Sequence, residues 1–368
     1  VLRTWLFSYV WCSVVFTTIP ANAQVEFAPH IQDQMVVQRG LRLEVSGTAT
    51  DNKKFDVTFA GKMLEVWPSD GKWLAQFDVP SDLSGPAKIT IDGGRVVRNV
   101  QVGDVWLCSG QSNMALPVGR ASDGMEIVRL ASNKNIYGYK VSKPTTAPQQ
   151  HVERWMAITP ESARNFSAVC LAFGGAMSDR INVPIGLMDA SLGGTWIESW
   201  ISAESFRQAP SASSSMARFE QRSSRQAKKG RNAGTYGIEK PSQLFDLMVR
   251  PLGKQPIKGV LWYQGEGNRQ NADSYAGLLS LLIKDWRRHW SNPELPFVVV
   301  QLPGFGKPTS SMKPDHGLAG VRDAQRTAVA SSQPAGLVVT HDLGDGTIHP
   351  GDKLPFGRRA ADVAFDLV

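Results

Sequence analysis

The chain has 368 residues, 42% hydrophobic and 20% charged, with 34 Gly, 22 Pro and a net charge of +7. This is the composition of an ordinary globular protein and excludes collagen, coiled coil and a largely disordered chain. The length leaves room for two domains, and the excess of 40 Lys and Arg over 33 Asp and Glu is modest when spread over it.

At the start, Arg3 precedes an apolar run from Trp5 to Phe16, and Ala21-Asn22-Ala23 places small residues where a signal peptidase reads. A secretory signal peptide is expected over 1–23, and with it a secreted or periplasmic location. The run is shorter than the roughly 20 residues of a membrane-spanning helix, and no later segment reads as one. Cys12 would leave with the signal; Cys108 and Cys170 either pair in an oxidising compartment or sit as buried thiols.

From 25 to 100 the pattern has period two. Phe55, Val57 and Phe59 alternate with polar residues, as do Trp73, Ala75, Phe77 and Val79, then Ile89 and Ile91. Asp70-Gly71, Ser84-Gly85-Pro86 and Asp92-Gly93-Gly94 punctuate these runs. A small antiparallel β-sandwich is expected, with a scaffolding or sugar-contacting role.

From 101 to 368 short, almost wholly apolar runs alternate with helical periodicity. The runs are Val105 to Leu107, Val183 to Met188, Val260 to Trp262, Phe297 to Leu302 and Leu337 to Val339. Strands buried on both faces read this way, so a parallel sheet in a three-layer α/β/α domain is expected. Helices are expected through Tyr275, Leu278, Leu282 and Trp286, and through Leu318, Val321, Ala324 and Ala328. The Ser-, Arg- and Gln-rich stretch 205–240 reads as an insertion. Its basic run, Arg218, Arg222, Arg225, Lys228, Lys229 and Arg231, reads as a solvated face or loop.

Chemistry concentrates at strand ends. Ser112, in Gly110-Gln111-Ser112-Asn113-Met114, follows directly on a strand, where open α/β sheets place functional groups. A serine in such a turn can present its hydroxyl beside backbone N–H groups, as an acyl-transfer nucleophile requires. His349 lies just beyond the last apolar strand, with Asp342 and Asp345 upstream, and is the best-placed base. Two further clusters, Ser191 to Trp196 and Gln264 to Asn268, end strands of the same sheet. Four such clusters converge on one crevice. No histidine pair has the spacing of a zinc motif, and neither G-x-G-x-x-G nor a Walker sequence occurs, so no metal and no nucleotide cofactor is expected. Zinc-finger spacing and RNA-binding aromatic signatures are missing too, so no nucleic-acid partner is expected.

These blocks resemble the sialate O-acetylesterase family of the SGNH hydrolase superfamily. Gly103 to Trp106 leading into Gly110 to Met114, Gly193-Gly194-Thr195, Trp262 to Glu266, Asp342 to Asp345 and Ile348-His349-Pro350 occur in the family's order. So do Met248 to Leu252, Val300-Gln301-Leu302 and Arg322 to Gln325. The resemblance implies a flavodoxin-like α/β/α serine esterase, preceded by a β-sandwich, that removes O-acetyl groups from sugars through an acetyl-enzyme. Carried over by residue, Ser112 is the nucleophile and His349 the base. The Ser112 amide, the Gly194 amide and the Gln264 side chain form the oxyanion hole, and Asn113, Glu266 and Trp196 are substrate-contact candidates. Two positions depart from the family: Gly267 stands where relatives usually carry Ser, and the Asp that many relatives place just before Ile348 is missing. Asp345 is therefore the first candidate for the triad acid, Asp342 the reserve, and a Ser-His dyad oriented by a backbone carbonyl the alternative. The expected substrate is O-acetylated sialic acid; acetylated xylan or another polysaccharide is the runner-up. A non-catalytic sugar binder using Trp196, Trp200 and Trp262 as stacking platforms is the third reading.

Overall fold

The computed structural model describes residues 25–132, 134–142, 153–209, 212–228, 240–253, 255–306 and 317–368. The expected signal peptide lies outside them.

The first seven strands are β1 (Val25–Phe27), β2 (Val36–Gln38), β3 (Arg42–Ala49), β4 (Phe55–Phe59), β5 (Lys62–Val66), β6 (Lys72–Asp78) and β7 (Ala87–Ile91). The period-two pattern is realised most plainly in β6, where Trp73, Ala75 and Phe77 are buried while Lys72, Leu74, Gln76 and Asp78 face out. Strands β1, β3 and β6 form one antiparallel sheet, and β4 pairs antiparallel with both β5 and β7. Asp70 and Gly71 both have positive φ in the turn that enters β6, the backbone a tight hairpin demands.

Strand β8 (Val96–Gly110) joins the two halves. It begins antiparallel to β7, passes beside β2, and ends as the middle strand of a parallel sheet. The boundary expected at residue 100 thus falls inside one continuous strand rather than at a linker. The remaining strands are β9 (Ile136–Lys140), β10 (Trp155–Ala157), β11 (Ile185–Ser191), β12 (Gly259–Tyr263), β13 (Phe297–Val300) and β14 (Ala335–Val338). Their order is β10-β9-β11-β8-β12-β13-β14, parallel throughout except for the edge strand β10. Chain order reverses on either side of β8, so the carboxyl end of β8 opens at a switch point of the sheet.

The helices are α1 (Ser112–Ala115), α2 (Gly124–Ala131), α3 (Pro160–Ala163), α4 (Ala168–Ser178), α5 (Ala203–Gln208), α6 (Ser213–Lys228), α7 (Ala272–His289), α8 (Leu318–Ala330) and α9 (Leu354–Leu367). Helix α4 packs against α2 and α9, and α7 packs against α8. Cys108 of β8 and Cys170 of α4 are joined by a disulfide, which ties the strand that leads into Ser112 to the helix beside it. Trp200, Trp262 and Trp286 stack edge to face in the core with no exposed surface. Trp200 and Trp262 are therefore packing residues, and the expectation that they present stacking platforms is corrected. Among the described residues no helix is long and apolar enough to cross a membrane.

The 205–240 stretch is helical over Ser213–Lys228, so its basic run begins as a helix and not a loop. Lys229 and Arg231 lie outside the described residues.

Candidate active site

Strand β8 ends at Gly110, whose φ is +140°; a Cβ there would meet the Tyr263 carbonyl oxygen at 2.0 Å, so only glycine lets β8 and β12 close up at this point. The chain then turns directly into α1. The Gln111 amide donates to Tyr263 O at 3.0 Å, and Leu192 N donates to Gly110 O at 3.0 Å, locking the turn between its two neighbouring strand ends. Ser112 emerges half-buried as the first residue of α1.

Its hydroxyl meets the base expected for it. His349 Nε2 lies 2.8 Å from Ser112 Oγ, across 237 residues of sequence. Burial, then the positive charges of Lys353 and Arg120, hold the imidazole pKa below its ordinary value, so it stands neutral and able to accept a proton near pH 7.

Neither candidate for the triad acid reaches the imidazole. Asp345 accepts from Thr347 N and Oγ1 at 2.8 and 2.7 Å and from Gly351 N at 2.9 Å, which makes it the staple of the His349 loop. Asp342 is exposed and paired with Arg359 at 2.6 and 2.7 Å. Among the described residues His349 Nδ1 has no hydrogen-bond partner, and the ring's one side-chain contact of this kind is to Ser112.

The loop is held from the other side by Asn113. This side chain, 0% exposed, donates to Ile348 O at 2.9 Å and to Glu266 Oε1 at 2.5 Å, and accepts from Lys353 Nζ at 2.8 Å. Burial raises the Glu266 pKa and lowers that of Lys353 to about 8, each partly countered by the other's charge. Part of Glu266 reaches the surface, but its carboxyl does not: Oε2 is enclosed and unpartnered. Asn113 and Glu266 are therefore internal fasteners and not substrate contacts. Trp196 remains half-buried at the rim.

Gly193 lies against Ser112, since a Cβ on it would sit 3.3 Å from Ser112 Cβ, and Gly194 beyond it is exposed with φ +75°. Gln264 departs from its expected role. It is 0% exposed; its Nε2 faces Gln111 Oε1 and Thr195 O, each at 3.1 Å, and Asn268 Oδ1 at 2.9 Å, while Tyr275 OH donates to its Oε1 at 2.7 Å. Two amide hydrogens already have three acceptors, so none is left for an oxyanion. The neighbouring amide is in the opposite condition. Gln111 Oε1 accepts from Gln264 Nε2 and from Gly267 N at 3.1 Å, yet its Nε2 makes no hydrogen bond among the described residues and is not sealed off, although the residue is only 3% exposed. A Cβ on Gly267 would crowd Thr195 O at 2.6 Å and Gln111 Oε1 at 3.2 Å, so glycine at this position is what gives Gln111 its room.

Gln111, Lys353 and Arg222 were not singled out as site residues from sequence. Gln111 sits next to Ser112 and Lys353 four residues after His349, so position alone signals them. Arg222 carries no such signal: it arrives from the inserted helix α6 and lies over Trp196. Among the described residues no three His, Cys, Asp or Glu gather as a metal site.

The family model for carbohydrate esterases described as sialic acid-specific acetylesterases matches residues 102–353, which contain every one of these groups. The chain belongs to that family. This esterase is 29% identical over 379 residues to the sialate O-acetylesterase of Homo sapiens, covering 90% of the chain and 69% of the relative. It is 30% identical over 393 residues to that of Rattus norvegicus, covering 90% and 71%. Among solved structures it resembles a carbohydrate acetylesterase from Xanthomonas citri, with a TM-score of 0.78, 30% identity and coverage of 94% of this chain and 75% of that one. The esterase is thus a carboxylic ester hydrolase with a mixed α/β fold built on a large central sheet.

Proposed function

We propose that this esterase removes O-acetyl groups from sialic acid or a closely related sugar by a serine mechanism. His349 Nε2 takes the proton of Ser112 Oγ as the oxygen attacks the acetyl carbonyl. The tetrahedral oxyanion is met by the Ser112 and Gly194 amides and by Gln111 Nε2, and it collapses to an acetyl-enzyme as His349 returns the proton to the departing sugar hydroxyl. Water, deprotonated by His349, then releases acetate and restores Ser112. The observation that carries this reading is the 2.8 Å contact between His349 and Ser112; a non-catalytic sugar binder has no use for it.

The names of the mammalian relatives favour sialic acid, while that of the Xanthomonas protein, a carbohydrate acetylesterase, keeps acetylated xylan and similar polysaccharides as the second reading. The fold is read as a three-layer SGNH hydrolase domain with a small β-sandwich before it; the strand reversal at β8 and the two antiparallel sheets support this. The Cys108–Cys170 disulfide supports a secreted or periplasmic location.

Rapid quenching during turnover of an acetyl ester, followed by peptide mass spectrometry, tests the mechanism. An acetyl group on the Ser112 peptide is expected. Turnover with acetylation elsewhere, or with none at any time point, overturns it.

A further inference from the structure

The basic run in the inserted helix α6 is not all solvated. The Arg222 guanidinium carbon lies 4.2 Å from the centre of the Trp196 ring, and Nη1 donates to Gly267 O at 3.2 Å. The amide of the same glycine donates to Gln111 Oε1, one residue from the nucleophile. Arg222 is therefore tied to the wall of the catalytic crevice by two contacts, a stack and a hydrogen bond.

Among the described residues it lacks an ion-pair partner: its remaining N–H groups make no hydrogen bond to them, and none of their carboxylates is within salt-bridge distance. Glu198 is near enough to favour the charge, but its own hydrogen bond comes from Asn268 Nδ2 at 2.8 Å and burial pushes its pKa up. The other charged groups facing this region are Arg218, held by Ser274 Oγ at 2.5 Å, and the exposed Arg269, which repels Arg222. Arg222 and Arg218 thus share the one buried carboxyl of Glu198, while Arg269 adds a like charge beside Arg222. A half-buried guanidinium without a carboxylate costs stability unless an anion completes it, and its planar fork matches a carboxylate better than any other anion-binding side chain does.

We propose that Arg222, seated on Trp196, is the group that receives the carboxylate of an acidic sugar, so that the inserted helix makes this esterase selective for O-acetylated acidic sugars over neutral ones. This rests on the reading of Ser112 and His349 as the reacting pair, with the acetyl ester at Ser112 and the carboxylate at Arg222.

Binding and turnover separate the two claims. Affinity for N-acetylneuraminic acid and for its methyl ester, which lacks the charge, is measured by titration on the full chain and on Arg222→Gln and Arg222→Lys. Wild type is expected to bind the acid at least about tenfold more tightly than the ester, as loss of a charge-assisted pair predicts. Arg222→Gln should abolish that preference, and Arg222→Lys should restore part of it. Equal affinity of wild type for acid and ester, or an equal loss of both in Arg222→Gln, overturns the proposal. Nitrophenyl acetate turnover by wild type, measured against Ser112→Ala, reports on the serine chemistry alone, so its failure would strike that reading and leave the binding result standing.

Discussion

Asn113 and Ile348 are joined by a 2.9 Å hydrogen bond from the Asn113 Nδ2 to the carbonyl oxygen of Ile348. The residue after Ser112 thereby fixes the peptide before His349. With no acid among the described residues on the far imidazole nitrogen, the orientation of His349 depends on such loop contacts. Asn113→Ala should lower kcat by about 10²-fold through misplacement of the base, with KM changed far less. A purely structural role would lower thermal stability and leave kcat of the surviving fold, and the pH profile of that activity, as in wild type.

In the proposed mechanism Gln111 supplies the oxyanion donor that Gln264 has already committed elsewhere. Gln111→Glu retains an oxygen for Gly267 N and Gln264 Nε2 but removes the donor. Loss of one oxyanion donor typically costs about 10²- to 10³-fold in kcat, and a fall of that size is expected in steady-state kinetics. Activity within about threefold of wild type would remove Gln111 from the reacting centre, since that is far below the cost of a lost oxyanion donor.

Asp345 staples the loop without touching the imidazole. Asp345→Asn should therefore reduce kcat by about tenfold at most, far short of the roughly 10⁴-fold loss seen when a true triad acid is neutralised. Asp342→Asn, which cuts only an exposed ion pair to Arg359, should cost less still. A loss near 10⁴-fold at Asp345 would show that it moves onto His349 during turnover.

The pH dependence follows from His349. The base must be neutral to take the Ser112 proton, so activity is full above its pKa and is lost as pH falls through it. Burial, Lys353 and Arg120 hold that pKa below the ordinary value of about 6.5. The acid limb of kcat/KM should accordingly have its midpoint below about 6.5, and Arg120→Ala, which removes one of the repelling charges, should move it upward. A limb above the ordinary imidazole value would mean that a carboxylate does sit on the ring.

Much of the fold was legible because its strands carry one-residue or continuous apolar patterns with turn residues between them. Helices α7 and α8 were legible for the same reason, each having one buried and one wet side. Helix α4 was not: AVCLAFGGAMS is buried nearly all round, so it has no polar face to set a period. Ser112 stood out because it follows directly on a strand, and His349 because it lies beyond the last apolar strand with acidic residues upstream. The fate of Gln264 did not, since whether an amide hydrogen is free depends on Gln111, Thr195 and Asn268, brought together only by the fold. The seating of Arg222 on Trp196 was equally hidden, because a residue's solvent exposure on a polar helix depends on what that helix lies against.

The most direct measurement is acetate release from O-acetylated sialic acid and from acetylated xylan, comparing the wild-type chain with Ser112→Ala at equal concentration and verified folding. Release from the sialic acid substrate, falling by at least about 10³-fold in Ser112→Ala, is the predicted result. Release that persists in Ser112→Ala within about tenfold of wild type would contradict the account, because among the described residues no other hydroxyl lies within hydrogen-bond distance of His349 Nε2.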